Sequence, residues 1–156
     1  MITIFDAIRN KDIHSLNILL KENHNLVNEK DQRGSTPLLL ATYFGDEDVS
    51  KILMEYPQDI DAKDASGNTA LMGVCFKGFN NIAKLLIENG ANVNATNSNG
   101  ATALIFAVTF NHKECIELLL NTGSDISIKD VKGNTAIDHA KMQGFNDIVE
   151  ILEKQS

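Results

Sequence analysis

One block of apolar and polar positions returns along the chain at a fixed interval. Gly34, Gly67, Gly100 and Gly133 stand 33 residues apart. Two residues after each comes a threonine (Thr36, Thr69, Thr102, Thr135), then Pro37 or an alanine (Ala70, Ala103, Ala136), then Leu38, Leu71, Leu104 or Ile137. Ala41, Val74, Ala107 and Ala140 follow, and after them Gly45, Gly78, Asn111 and Gly144. The columns Val49, Ile82, Cys115, Ile148 and Ile52-Leu53, Leu85-Leu86, Leu118-Leu119, Ile151-Leu152 close the block without a gap. A fixed period of this length is the signature of a repeat architecture.

Each block predicts two short helices. Threonine followed by proline starts the first, because the hydroxyl accepts an early backbone N–H and proline suits the first helical position. That helix runs from about Pro37 to Phe44, and the glycine or asparagine after it supplies the positive φ of a tight turn. The second helix opens on Asp46-Glu47-Asp48, Asn80-Asn81 or Asn146-Asp147, polar or acidic residues suited to the positive end of a helix dipole. It buries one stripe, such as Val49, Ile52 and Leu53. Leu16, Leu19-Leu20, Val27 and Asp31 fall in matching columns upstream, which gives five units: 2–31 and 131–156 as caps, with 32–64, 65–97 and 98–130 between. A helix pair this small cannot enclose its apolar face, so the units must stack and share a core. The last helix fits a capping role, with Glu153 where its predecessors carry Met54, Ile87 and Leu120. Leu40, Gly73, Phe106 and His139 are equivalent sites, and the Phe106 ring is expected to fill the volume missing at Gly73.

GSTPLLLA, GNTALMGV, GATALIFA and GNTAIDHA, each followed by a Leu-Leu-type helix and segments such as NGANVNATN, resemble ankyrin repeats. The resemblance covers nearly the whole chain. It implies an all-α solenoid with short hairpin-like loops, one domain over 1–156, acting as a protein-binding module without catalysis. It also implies binding through a concave face made by the hairpin tips and the exposed side of the first helices. The matching residues are Arg33, Ser66, Asn68, Asn99 and Lys132 at the tips. On the helices they are Tyr43, Phe44, Phe76, Lys77, Thr109, Phe110, Met142 and Gln143. The side chains Tyr43, Phe44, Phe76, Phe110 and Met142 form an aromatic or thioether row outside the core columns; exposed strips of that kind mark interaction sites. The alternative is that these rings fold back between helices as core. Two departures stand out. The family's usual Thr-Pro-Leu-His histidine, which ties neighbouring turns together, is replaced by Leu39, Met72, Ile105 and Asp138. Pro57 stands where Gly90 and Gly123 occur in the following units, so a local kink or a shifted hairpin is expected there.

Composition narrows the partner. The 156 residues are 43% hydrophobic, with 14 basic and 21 acidic side chains and a net charge of −7. That describes a folded chain and argues against nucleic acid, whose affinity comes from clustered Lys and Arg. No secretory signal or membrane-spanning run is evident, and a cytoplasmic location is expected. Cys75 and Cys115 lie in apolar stretches and read as buried hydrophobes. His112 and Cys115 have a spacing compatible with two metal ligands, but Cys115 occupies a buried column and no further ligand is near in sequence. Asp138 and His139 adjoin without a nucleophile the repeat would bring to them. A helix start accounts for Asp46-Glu47-Asp48. No catalytic residue, metal or cofactor is assigned. The expected partner is another protein, held by an adaptor or scaffold that is itself monomeric unless the strip drives self-association. An inhibitor plugging a basic active site with an acidic concave face is the alternative.

Overall fold

The computed structural model describes residues 2–155. They form ten α-helices, with no strand among the described residues: α1 (Ile4–Arg9), α2 (Ile13–Glu22), α3 (Pro37–Tyr43), α4 (Glu47–Met54), α5 (Ala70–Lys77), α6 (Asn80–Glu88), α7 (Ala103–Thr109), α8 (Lys113–Asn121), α9 (Ala136–Gln143) and α10 (Asn146–Glu153). The odd-numbered helices start as the threonines predict. The Thr36, Thr69 and Thr102 hydroxyls accept from the backbone N–H of Leu39, Met72 and Ile105 at 3.2, 3.3 and 3.2 Å. Thr135 and Asp138 cap reciprocally, the Asp138 carboxylate accepting the Thr135 N–H at 3.0 Å. The missing histidines therefore leave no odd-numbered helix uncapped. Leu39, Met72 and Ile105 point into the core instead.

The turn into each even-numbered helix uses positive φ as expected, at 74° for Gly45, 81° for Gly78, 60° for Asn111 and 74° for Gly144. The second helices begin in two ways. Asp12 and Asp46 cap α2 and α4 with their carboxylates. Phe79, His112 and Phe145 hold the same position before α6, α8 and α10 and make no capping bond there.

The odd-numbered, inner helices pack on one another in chain order, α1 on α3 on α5 on α7 on α9, while α4, α6 and α8 form a second row behind them. Ala41, Val74, Ala107 and Ala140 are fully buried at the inner contacts, where a small side chain lets the helices approach. Leu53, Leu86, Leu119 and Leu152 are fully buried from the outer row, so both rows share one continuous core. Burying a leucine is worth about 1.5–3 kcal/mol. Between pairs, the chain turns at Asp31, Asp64, Asn97 and Asp130. The backbone N–H of each donates to the carbonyl four residues on, and its side chain accepts from N–H groups two and four residues ahead. Neighbouring tips are tied by Ser98 N–H to the Ser66 carbonyl at 3.1 Å and Val131 N–H to the Asn99 carbonyl at 2.9 Å.

Three local features differ from the regular repeat or from what its columns predict. At Pro57 the loop kinks but the hairpin does not shift. In the next two units the backbone N–H of Ala91 and Ser124 caps the Leu86 and Leu119 carbonyls after a glycine of φ 93° or 97°. Proline cannot adopt that conformation. Here the Gln58 side-chain amide donates to the Leu53 carbonyl at 2.6 Å instead. Register is regained by Asp61, which accepts the Asn92 N–H at 2.9 Å just as Asn94 accepts that of Asp125 at 2.7 Å. Second, the Phe106 ring does not fill the volume at Gly73. A Cβ built there would meet nothing within 4 Å, because this column lies on the inner helices' outward surface and the ring turns to Phe76 instead. Third, the first unit carries one more residue between cap and hairpin, with Asp12 to Asp31 nineteen apart where Asp46 to Asp64 are eighteen. A 3₁₀ turn, His24–Asn28, takes up the extra length and buries Val27.

Candidate protein-binding face

The last turn of each inner helix has one side against the core and one free. Tyr43, Phe44, Phe76, Phe110 and Met142 occupy the free side, exposed by 52%, 48%, 40%, 47% and 61%. They are not scattered. Phe76 and Phe110 meet edge-on with centroids 4.6 Å apart, and Phe106 meets Phe76 at 6.2 Å. Tyr43 lies 6.3 Å from Phe44, and the Lys77 ammonium sits 4.5 Å over the Tyr43 ring. The chain of contacts Phe44, Tyr43, Lys77, Phe76, Phe110 thus crosses α3, α5 and α7 as one surface, with half-buried Phe106 as its floor. Met142 holds the equivalent position on α9.

The other residues expected at this face divide by accessibility. Arg33, Ser66, Lys77, Asn99, Lys132 and Gln143 are exposed. Asn68 and Thr109 are half-buried and already engaged, Asn68 accepting from the Asn97 amide at 2.9 Å and Thr109 donating to the Ile105 carbonyl at 2.7 Å.

Charge is partitioned between the two rows of helices. Glu47, Asp48, Glu88, Glu114, Glu117, Asp147, Glu150 and Glu153 all ride on outer helices, whereas α3, α5 and α7 contain no acidic residue. Asp6 and Asp138 are the acids of α1 and α9, and both are held in capping boxes with Thr3 and Thr135. Those N–H and hydroxyl contacts lower both carboxyls below their usual pKa. The hairpin carboxylates are similarly turned inward. Burial opposes ionisation of Asp130, but the Asn134 N–H, the His139 ring 2.7 Å away and the Lys132 N–H together hold its pKa below the usual value. The three middle inner helices thus present aromatic rings and Lys77 rather than carboxylates.

The titratable residues considered for chemistry have structural duties. His112 Nε2 donates to the Phe76 carbonyl at 3.0 Å, closing the C-terminal end of α5 from the next unit. Its ring packs so near Gly78 that a Cβ there would lie 2.6 Å from Nδ1. Cys115 points elsewhere, its thiol donating to the Asn80 side-chain oxygen at 2.9 Å. His139 is committed to Asp130, whose other oxygen serves its own turn. Cys75 and Cys115 are both free and buried, and they meet across two units; hydrogen bonding to Cys115 and burial push the Cys75 thiol well above its ordinary pKa. Glu47 pairs with Lys51 at 3.5 Å and Asp46 caps its helix, so the acidic run is a helix start. Among the described residues no group of three or more His, Cys, Asp or Glu could hold a metal ion, and no helix is long and apolar enough to cross a membrane.

The histidine joint, the thiol contact and the Gln58 cap were not anticipated. Each joins residues of different repeat columns, or replaces a backbone bond by a side chain, and periodicity carries no trace of either. The absence of acids from the three middle inner helices was there to be counted.

A family model described as ankyrin repeats (3 copies) matches residues 4–97 and again 72–155. No curated protein matches the chain. Ankyrin repeats are generally protein-interaction modules and typically non-catalytic. With nearly every residue inside one of the two matches, and the helix pairs stacked in chain order, the chain belongs to the ankyrin-repeat family.

Proposed function

We propose that the protein is an adaptor or scaffold that grips another protein on its inner-helix face, with residues 1–156 acting as one five-unit interaction domain and performing no catalysis. The observation that carries this reading is the continuity of the exposed row across units, above all Phe76 against Phe110 at 4.6 Å. Contiguous exposed apolar surface marks interaction sites, and buried aromatic anchors dominate binding energy where they occur. Lys77 stands within the row, Arg33 and Lys132 are exposed at the hairpin tips, and Ser66, Asn99 and Gln143 add exposed polar groups suited to a hydrogen-bonding rim. The free, buried cysteines suit a reducing compartment, so the reading places the protein in the cytoplasm as a monomer awaiting its partner. An inhibitor presenting acids to a basic active site is the less favoured reading, because α3, α5 and α7 carry no acidic residue.

The test is affinity capture from the source cell with three baits: wild type, Phe76→Ala with Phe110→Ala, and Lys84→Ala on the outer row. A partner held on the inner face is lost from the double variant, roughly 30-fold for about 2 kcal/mol, and retained by Lys84→Ala. Equal recovery on all three baits, or loss with Lys84→Ala alone, would reject the proposal.

A further inference from the structure

Resting on that reading of the inner face, we infer that its occupant is an acidic segment of a partner protein, one that sets large apolar side chains on the aromatic row and carboxylates against Lys77 within it and against Arg33 and Lys132 at the hairpin tips. Three observations point there. The helices that carry the row, α3, α5 and α7, contain no acidic side chain, and Lys77 stands exposed in the middle of the row above Tyr43. The hairpin tips repeat the arrangement. Their carboxylates at Asp31 and Asp130 face inward on their own turns, while Arg33 and Lys132 project outward from the same turns. Beyond the row, Lys141 is exposed on α9 one residue before Met142. Arg33 and Lys132 are exposed, and Lys77 meets only the Tyr43 ring, while the Asp31 and Asp130 carboxylates accept N–H groups of their own turns.

The net charge of −7 does not oppose this. Nine of the 21 acidic residues sit on the outer helices, behind a layer of inner helices, and packed helices are about 8–10 Å apart. The Debye length at physiological ionic strength is about 8 Å. A carboxylate approaching the row therefore feels Lys77 at contact distance and the outer acids only after screening. A basic ligand meets the reverse, with close like charges and nothing but screened attraction. The face also sets a length. Four inner helices in three steps of about 8–10 Å extend roughly 24–30 Å, which suits about eight residues of extended chain at ~3.3 Å each.

The experiment is panning of a random twelve-residue peptide display library on the immobilised full chain, followed by anisotropy titration of the recovered peptides. Titrations use wild type, Lys77→Glu with Lys132→Glu, Lys84→Glu, and Phe76→Ala with Phe110→Ala, each checked by its melting transition. The inference expects peptides combining Leu, Ile, Phe or Trp with Asp and Glu. Their affinity falls at least tenfold with Lys77→Glu and Lys132→Glu and less than twofold with Lys84→Glu, which adds acidic charge on the outer row. Recovery of basic or uncharged peptides that need the two phenylalanines but ignore the lysines overturns the inference and leaves inner-face binding standing. Peptides indifferent to the phenylalanines, or no enrichment at all, overturn both.

Discussion

Replacing Phe76 by alanine separates a surface ring from a core one. At 40% exposure the ring buries a little over half of its area, and full burial of a phenylalanine is worth about 1.5–3 kcal/mol. The desolvation share is therefore about 1–2 kcal/mol, with little cavity penalty because the vacated space opens to solvent. Leu71, on the same helix, is 1% exposed and belongs to the shared core. Leu71→Ala should cost about 3–5 kcal/mol, transfer and cavity together. Urea unfolding followed by circular dichroism reads both, with m-values compared to establish that the array still unfolds as one unit. Heating gives the same order, about 2–4 °C lost per kcal/mol for a chain of this size. The Phe76 and Phe110 substitutions should also couple by about 0.5–1.5 kcal/mol, as expected for rings 4.6 Å apart. A Phe76→Ala loss equal to that of Leu71→Ala would show the ring to be core and remove the basis for an interaction strip.

Three other substitutions test the architecture. Gly73→Ala places a methyl group in open space within α5, so it should stabilise the protein by about 0.5–1 kcal/mol through helix propensity; a loss would mean that the site is packed after all. Gly78→Ala should destabilise by more than about 1 kcal/mol, from φ of +81° and from collision with His112. Adding His112→Ala should recover the collision but not the strain, read as a non-additive double-mutant cycle. Asp130→Asn tests acid sensitivity. Because the folded-state pKa of Asp130 is lowered, its contribution is complete above about pH 4 and drains away as pH falls through the folded value. Asparagine already serves the equivalent turn at Asn97, so the variant should keep its hairpin and lose stability less steeply below pH 4, by one group's share. An unchanged acid slope would contradict the assignment.

Most of the fold was readable from the period because a stack reuses one contact set, so a column that is apolar in every unit is apolar for one reason. Helix α3 falls within one residue of its expected end, and the positive-φ turn holds even where Asn111 replaces glycine. The exposure of the row was readable by subtraction, since the core columns were already filled by other residues. What failed was particular to single units. Leu40 and Phe106 make the Gly73 column read as packed, but a column partly apolar on the open side of a helix is indistinguishable in sequence from one on the closed side. Gln58 stands in for a backbone donor that Pro57 prevents, a compensation visible only once the loop is folded. The His112 joint and the Cys75 to Cys115 contact depend on an inner helix of one unit meeting the outer helix of the next, which needs three-dimensional register.

The central claim is that the inner row, and not the outer one, meets another protein. A photo-crosslinking phenylalanine analogue placed at Phe110, and separately at exposed Lys84 on the outer row, reads this directly in the source cell. The account expects a discrete crosslinked adduct from position 110, weakened by Phe76→Ala, and none from position 84. An adduct from position 84 with none from 110 would contradict it.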